Sequence, residues 1–140
     1  MMVIHINFWA VLLAGLASML IGAIYYSDKV FGKEWKRLSK INTKQFEKEM
    51  GWNMSQVFIG ALITSYAVAF VTCLYHFYYH SSWITSGLAT SIILFVGISA
   101  TTIAIHETLN QTPTKLINIT FGNRFFSIVA MGLIIGWLHP

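Results

Sequence analysis

Four long apolar runs divide the chain, spanning about residues 6–26, 54–79, 83–105 and 116–138. The first contains no charged residue and the fourth contains one, Arg124. Each is long enough to cross a hydrocarbon layer of about 30 Å as a helix of about 20 residues. None alternates with period two, and all exceed the strands of about 10 residues that build a membrane barrel. A helix satisfies its own backbone in lipid. A chain of this length cannot bury four such helices in a water-soluble core. The pattern predicts an all-α fold, a four-transmembrane-helix bundle forming a single integral membrane domain over residues 1–140.

The hydrophilic stretch 27–53 has a pattern of its own. Phe31, Trp35 and Leu38 recur at helical spacing, with Lys33, Lys36, Arg37 and Lys40 between them. This predicts a short amphipathic helix lying at the membrane interface. Asn42 to Lys48 is more polar and reads as a turn leading into a short helical stretch in water. The segment before the first run, Met1 to Asn7, has no basic residue, so that run does not read as a secretory signal peptide. Trp9, Trp52, Trp83 and Trp137 fall near span ends, where tryptophan anchors helices.

Composition sharpens this picture. Charged residues make up 10% of the 140 positions and hydrophobic ones 56%, and mean hydropathy is +0.63. A soluble domain carries about 25% charge, so a compact soluble enzyme is excluded, as is disorder. The net charge is +4, and seven of the nine basic residues lie between Lys29 and Lys48. Lys115 and Arg124 fall on the same side of the four-span topology. The positive-inside rule then makes the 27–53 loop cytoplasmic and puts both termini outside, in a multi-pass protein of the cell membrane. Such a cluster suits anionic lipid headgroups. No nucleic-acid recognition motif surrounds it. The expected partners are the lipid bilayer and a further copy of the chain. Cys73, the single cysteine, lies inside an apolar run and reads as a small apolar side chain.

Small residues mark packing faces. Ala10, Ala14, Ser18 and Gly22 repeat every four residues in the first span, Ala61, Ser65 and Ala69 do so in the second, and Gly132 and Gly136 in the fourth. Such stripes let helix backbones approach closely in lipid. Four helices enclose little volume, so a transport pathway would need a homo-oligomer.

The candidate chemistry gathers at the end bearing the basic loop. Tyr26 and Asp28 close the first span, His106 and Glu107 the third, and Asn118, Asn123 and Arg124 lie in the first turns of the fourth. Arg124 is placed roughly 10 Å along its helix, where it must snorkel or find a partner. Asp28 and Glu107 are the available carboxylates. Two readings follow: a polar vestibule for an ion or small polar ligand, or structural locks between helices one, three and four. Thr101 and Thr102, one turn from His106, extend the first reading. His5, His76, His80 and His139 collect near the opposite end without cysteine or carboxylate neighbours, so no metal site is assigned. There is no phosphate loop, HExxH or CxxC motif, and no cofactor is implied. His106 with Glu107 is the only acid–base pair. As neighbours on a helix they point about 100° apart, which argues against an enzyme.

The chain resembles the DUF1761 family of small four-helix membrane proteins. The resemblance runs through Asn7-Phe8-Trp9-Ala10-Val11, Gly22-Ala23-Ile24-Tyr25-Tyr26-Ser27 and Val30-Phe31-Gly32-Lys33-Glu34-Trp35. It continues in Ile117-Asn118 and from Ser127 to Trp137, with Met131, Gly132 and Gly136. The family usually has proline where this chain has Asp28. The resemblance implies a single bundle whose longest hydrophilic loop follows helix one. It directs attention to Asn7, Tyr26, Ser27, Phe31, Gly32, Lys33, Trp35 and Asn118, and it implies no substrate. The sequence thus leads to an oligomeric channel- or transporter-like protein for a small solute or ion. The alternative is a structural or lipid-interacting membrane protein without transport activity.

Overall fold

The computed structural model describes residues 5–139. Met1 to Ile4, most of the segment on which the signal-peptide argument rests, lie outside the described residues, as does Pro140. The elements are α1 (Phe8–Tyr25), α2 (Gly32–Ser39), α3 (Thr43–Lys48), α4 (Met50–Tyr79), α5 (Trp83–Leu94), a π-helical stretch (Phe95–Ala100), α6 (Thr101–Leu109) and α7 (Thr114–Leu138). From α5 to α6 the helix is continuous, Trp83–Leu109, and the described residues contain no strand. Four helices are therefore long and apolar enough to span a membrane, and the fold is all-α, as the sequence pattern predicts.

Local chemistry sets the helix ends. Asn7 Oδ1 accepts from the backbone N–H groups of Trp9 and Ala10 at 3.0 and 3.3 Å, capping α1. Ser82 caps α5 by accepting from Thr85 N–H at 3.2 Å. His80 stops α4 in a left-handed conformation, φ 51°. Two helices outrun their apolar stretches: α4 starts at Met50, and the third span runs to Leu109. Hydropathy marks depth in lipid, whereas a helix continues through polar residues such as Asn53 and Thr108 until its backbone is capped.

Helix α7 is the centre of the bundle and packs on α1, α4 and α5. The core comprises Val11 and Ala14 of α1, Ala61, Val68 and Ala69 of α4, and Ile128, Met131 and Ile135 of α7. Lipid supplies no hydrophobic drive for this association, so close packing and hydrogen bonds must hold it. The closest approach is between α5 and α7. A Cβ on Gly87 would collide with the Gly132 carbonyl, and one on Gly132 with Ser91 Oγ and the Gly87 carbonyl. Ser91 Oγ donates to this crossing, with the Gly87 carbonyl at 2.8 Å and the Ile128 carbonyl at 3.0 Å. Ser65 Oγ likewise donates to the Val11 carbonyl at 2.8 Å, joining α4 to α1.

The buried residues of α4 and the third span are confined to the end opposite the basic loop, whereas α7 still buries Ile119 at the basic end. Buried residues of α4 begin at Ala61, those of α5 are Ser86, Gly87, Thr90 and Ser91, and neither the π-helical stretch nor α6 has any. The first three turns of α4 have no buried residue, and the second half of the third span keeps only partly buried contacts with α7, among them Phe95 on Phe121 and Phe125. The small-residue stripes of the first and fourth spans follow this division. Ala10, Ala14, Gly132 and Gly136 are buried inside the subunit, whereas Ser18 and Gly22 are half-buried.

Candidate functional site at the basic end

The amphipathic segment of the first loop folds as α2 and is docked onto the bundle. After α1 the chain turns through Ser27, whose carbonyl accepts from Val30 N–H at 3.0 Å and Gly32 N–H at 2.8 Å. Gly32 is buried against this turn, and a Cβ there would run into the Tyr26 carbonyl and the Ser27 backbone. Helix α2 then lays Trp35 beside Tyr26, ring centroids 5.2 Å apart, while Phe31 meets Tyr25 at 4.8 Å. Phe46 of α3 closes on the other side of Trp35 at 6.1 Å.

An ionic tether supports these ring contacts. Glu34 accepts from Lys115 of α7 at 2.7 Å and also pairs with Arg37 one turn on. The Lys115 hydrogen bond, with that of Arg37, holds the Glu34 carboxyl below the usual glutamate range. Sequence reasoning passed over Glu34. Its signal was that it is the only acidic residue in α2, yet its partner lies 81 positions away.

The candidate residues separate into three groups. Tyr26 interacts with the Asn123 and Thr120 side chains of α7 and lies in the field of Arg124. Beside it Tyr25 lays its hydroxyl over Gly122, where a Cβ would collide. Asn123 Oδ1 is buried with no hydrogen-bond donor. Asp28 is turned away to the surface, where Lys36 donates to it at 3.0 Å. His106 and Glu107 form the third group: their side chains approach to 3.9 Å, and Asn110 reaches His106 Nδ1 at 3.2 Å. Asn118 is exposed. Thr101 Oγ1 donates to its own helix, at 3.0 Å from the Gly97 and Ile98 carbonyls.

Arg124 stands apart from the expectation of a carboxylate partner. Among the described residues neither Asp28 nor Glu107 pairs with it, because α2 supplies Lys36 to the first and α6 holds the second beside His106. It also lies farther along its helix than the apolar run implied. From Thr114 the distance is ten residues, about 15 Å.

The family model described as "Protein of unknown function (DUF1761)" matches residues 9–136. The chain belongs to the DUF1761 family. No curated relative and no solved structure matches it. In this DUF1761 chain the matched region takes in the docked α2, the α5–α7 crossing and every basic-end candidate, so the family's extent coincides with the whole bundle.

At the opposite end the histidines join an aromatic stack. His76 of α4 lies parallel to Trp83 of α5 at 3.7 Å, and Trp83 in turn faces His139 at 5.6 Å. These contacts tie the ends of three spans.

Proposed function

We propose that this DUF1761 protein is a lipid-interacting membrane protein, and that its basic end faces the cytoplasm and engages anionic headgroups. The observation carrying this reading is the docking of α2: Trp35 on Tyr26 and Glu34 on Lys115 hold a cationic helix against the bundle. Fixed in this way, the loop exposes Lys29, Lys33, Lys40, Lys44 and Lys48, none of which has an ion pair among the described residues. Each cation near an anionic leaflet contributes about 1 kcal/mol of attraction. Phe31 is also exposed, which adds an apolar contact at the interface.

The test is lipid selectivity in reconstituted protein. Spin-labelled phosphatidylglycerol and phosphatidylcholine are compared for their immobilised fraction around the wild type and a Lys29→Gln, Lys33→Gln, Lys40→Gln variant. The reading expects a phosphatidylglycerol preference that the variant loses. Equal immobilisation of both lipids around the wild type overturns it.

A second reading, an oligomeric channel- or transporter-like role for a small solute or ion, is favoured by one feature. The second half of the third span exposes Thr101, Thr102 and His106 on a membrane helix, and these could line a path between copies. Its test is solute or ion flux in proteoliposomes together with a subunit count, and a monomer without flux rejects it.

A further inference from the structure

Arg124 shares its face of α7 with Ile128, Met131 and Ile135, at spacings of four, seven and eleven residues. Those three are the most deeply buried stripe of the helix, 2%, 1% and 2% exposed, yet Arg124 on the same face is exposed. The change occurs because α4 has no buried residue at this level, while the third span stays beside α7 through Phe95 on Phe121 and Phe125. Buried α4 residues start only at Ala61, and the third span has none after Ser91. Arg124 therefore lies on a face of α7 that α4 leaves uncovered at this end.

Its depth can be placed. Helix α1 and the matching part of α7 run together from the Asn7–Leu138 hydrogen bond to the Tyr25–Gly122 contact. The 18 residues of α1 make this about 27 Å, close to the hydrocarbon thickness. Arg124, two residues past Gly122, thus sits at the edge of the hydrocarbon. A guanidinium there needs an anion, and no carboxylate of the described residues supplies one. At this end α4 and the third span expose the apolar side chains Met54, Val57, Val96 and Ile98, which suit acyl chains.

We infer that Arg124 holds the phosphate of a phospholipid whose acyl chain lies along this uncovered face. The planar guanidinium can take two phosphate oxygens side by side, which an ammonium cannot. The inference rests on the lipid-interacting reading but not on the loop lysines, so each can fail alone.

The experiment uses full-length protein reconstituted with phosphatidylglycerol and phosphatidylcholine, stripped by graded detergent washing, and weighed by native mass spectrometry. Wild type is expected to keep one phospholipid per subunit after the remainder has gone. Arg124→Gln should hold it at least tenfold more weakly and Arg124→Lys to an intermediate degree, while the triple loop variant keeps it. Retention by a folded Arg124→Gln protein equal to wild type overturns the inference. A wild-type measurement guards against a variant that fails to fold. A headgroup-nitroxide phospholipid should broaden the Arg124 Nε–Hε resonance saturably. Absence of broadening overturns the inference, as does an equal response to inorganic phosphate without lipid, which would indicate a soluble-anion site. Arg124→Gln changing the subunit count in place of bound lipid would assign the residue to a second copy and equally overturn it.

Discussion

The Asn7 side-chain amide donates to the Leu138 carbonyl at 3.1 Å, joining the residue before the first span to the last turn of the fourth. Its oxygen meanwhile caps α1 through Trp9 and Ala10 N–H. One side chain thus satisfies backbone groups at two helix termini that lipid would leave unpaired.

Asn7→Ala should cost about 0.5–2 kcal/mol, the range for a lost N-cap. The loss should be local. Hydrogen exchange is expected to accelerate at the Trp9 and Ala10 amides, with the buried middle of α7 unchanged. Uniform acceleration across the bundle would mean that Asn7 governs global stability and not only the ends.

The α5–α7 crossing should resist any added carbon. Gly132→Ala forces a Cβ into Ser91 Oγ and the Gly87 carbonyl, so the helices must separate and Ser91 must give up its bond to Ile128. Overpacking of this kind costs about 1–3 kcal/mol. Gly97→Ala is the matched control, because nothing lies within 4 Å of a Cβ there. It should be neutral or stabilising by up to about 1 kcal/mol. Thermal unfolding of both variants in one detergent checks the contrast.

Trp35 should hold α2 to the bundle without holding the bundle together. It contacts Tyr26 and Phe46, and each aromatic pair contributes about 0.5–1.5 kcal/mol beyond area burial. Trp35→Ala is expected to remove exchange protection from Gly32 to Ser39 while leaving α1 and α7 intact. A cooperative loss of all four spans would show that the loop helix belongs to the core.

The architecture was legible because lipid imposes a length and forbids charge, so four apolar runs become four spans. Ala10, Ala14, Gly132 and Gly136 were legible as packing residues for a related reason, since close helix approach demands small side chains at regular spacing. What the sequence hid was where packing stops. Phe95–Ala100 carries no proline or charge to announce a π-helical stretch, and Val96 and Ile98 read the same whether a helix or lipid covers them. The basic-end candidates were visible as a group because depth follows from topology, but their pairing was not. Asp28 meets Lys36 and not Arg124 because the turn at Ser27 brings α2 back beside it, and that turn rests on Gly32 meeting the Tyr26 carbonyl. The Glu34–Lys115 tether depends on the same folding back.

That tether gives the basic end a defined acid sensitivity. The Lys115 and Arg37 hydrogen bonds lower the Glu34 pKa relative to the unfolded chain. A depressed carboxylate contributes stability above its unfolded pKa and loses it as pH falls through the folded value. The α2–α7 contact should therefore be unchanged from neutral pH down to the ordinary glutamate range, and loosen only below it. Lys115 is exposed and Glu34 only half-buried, hence the effect is on docking and small for global unfolding. Spin labels at Lys33→Cys and Thr114→Cys report the α2–α7 distance across a pH titration. The distance distribution should stay narrow until the pH drops below the ordinary glutamate range and then broaden. Glu34→Gln should show the broad distribution at neutral pH, with no further acid transition. A transition well above the ordinary glutamate range would show that Glu34 is not the group that controls the docking.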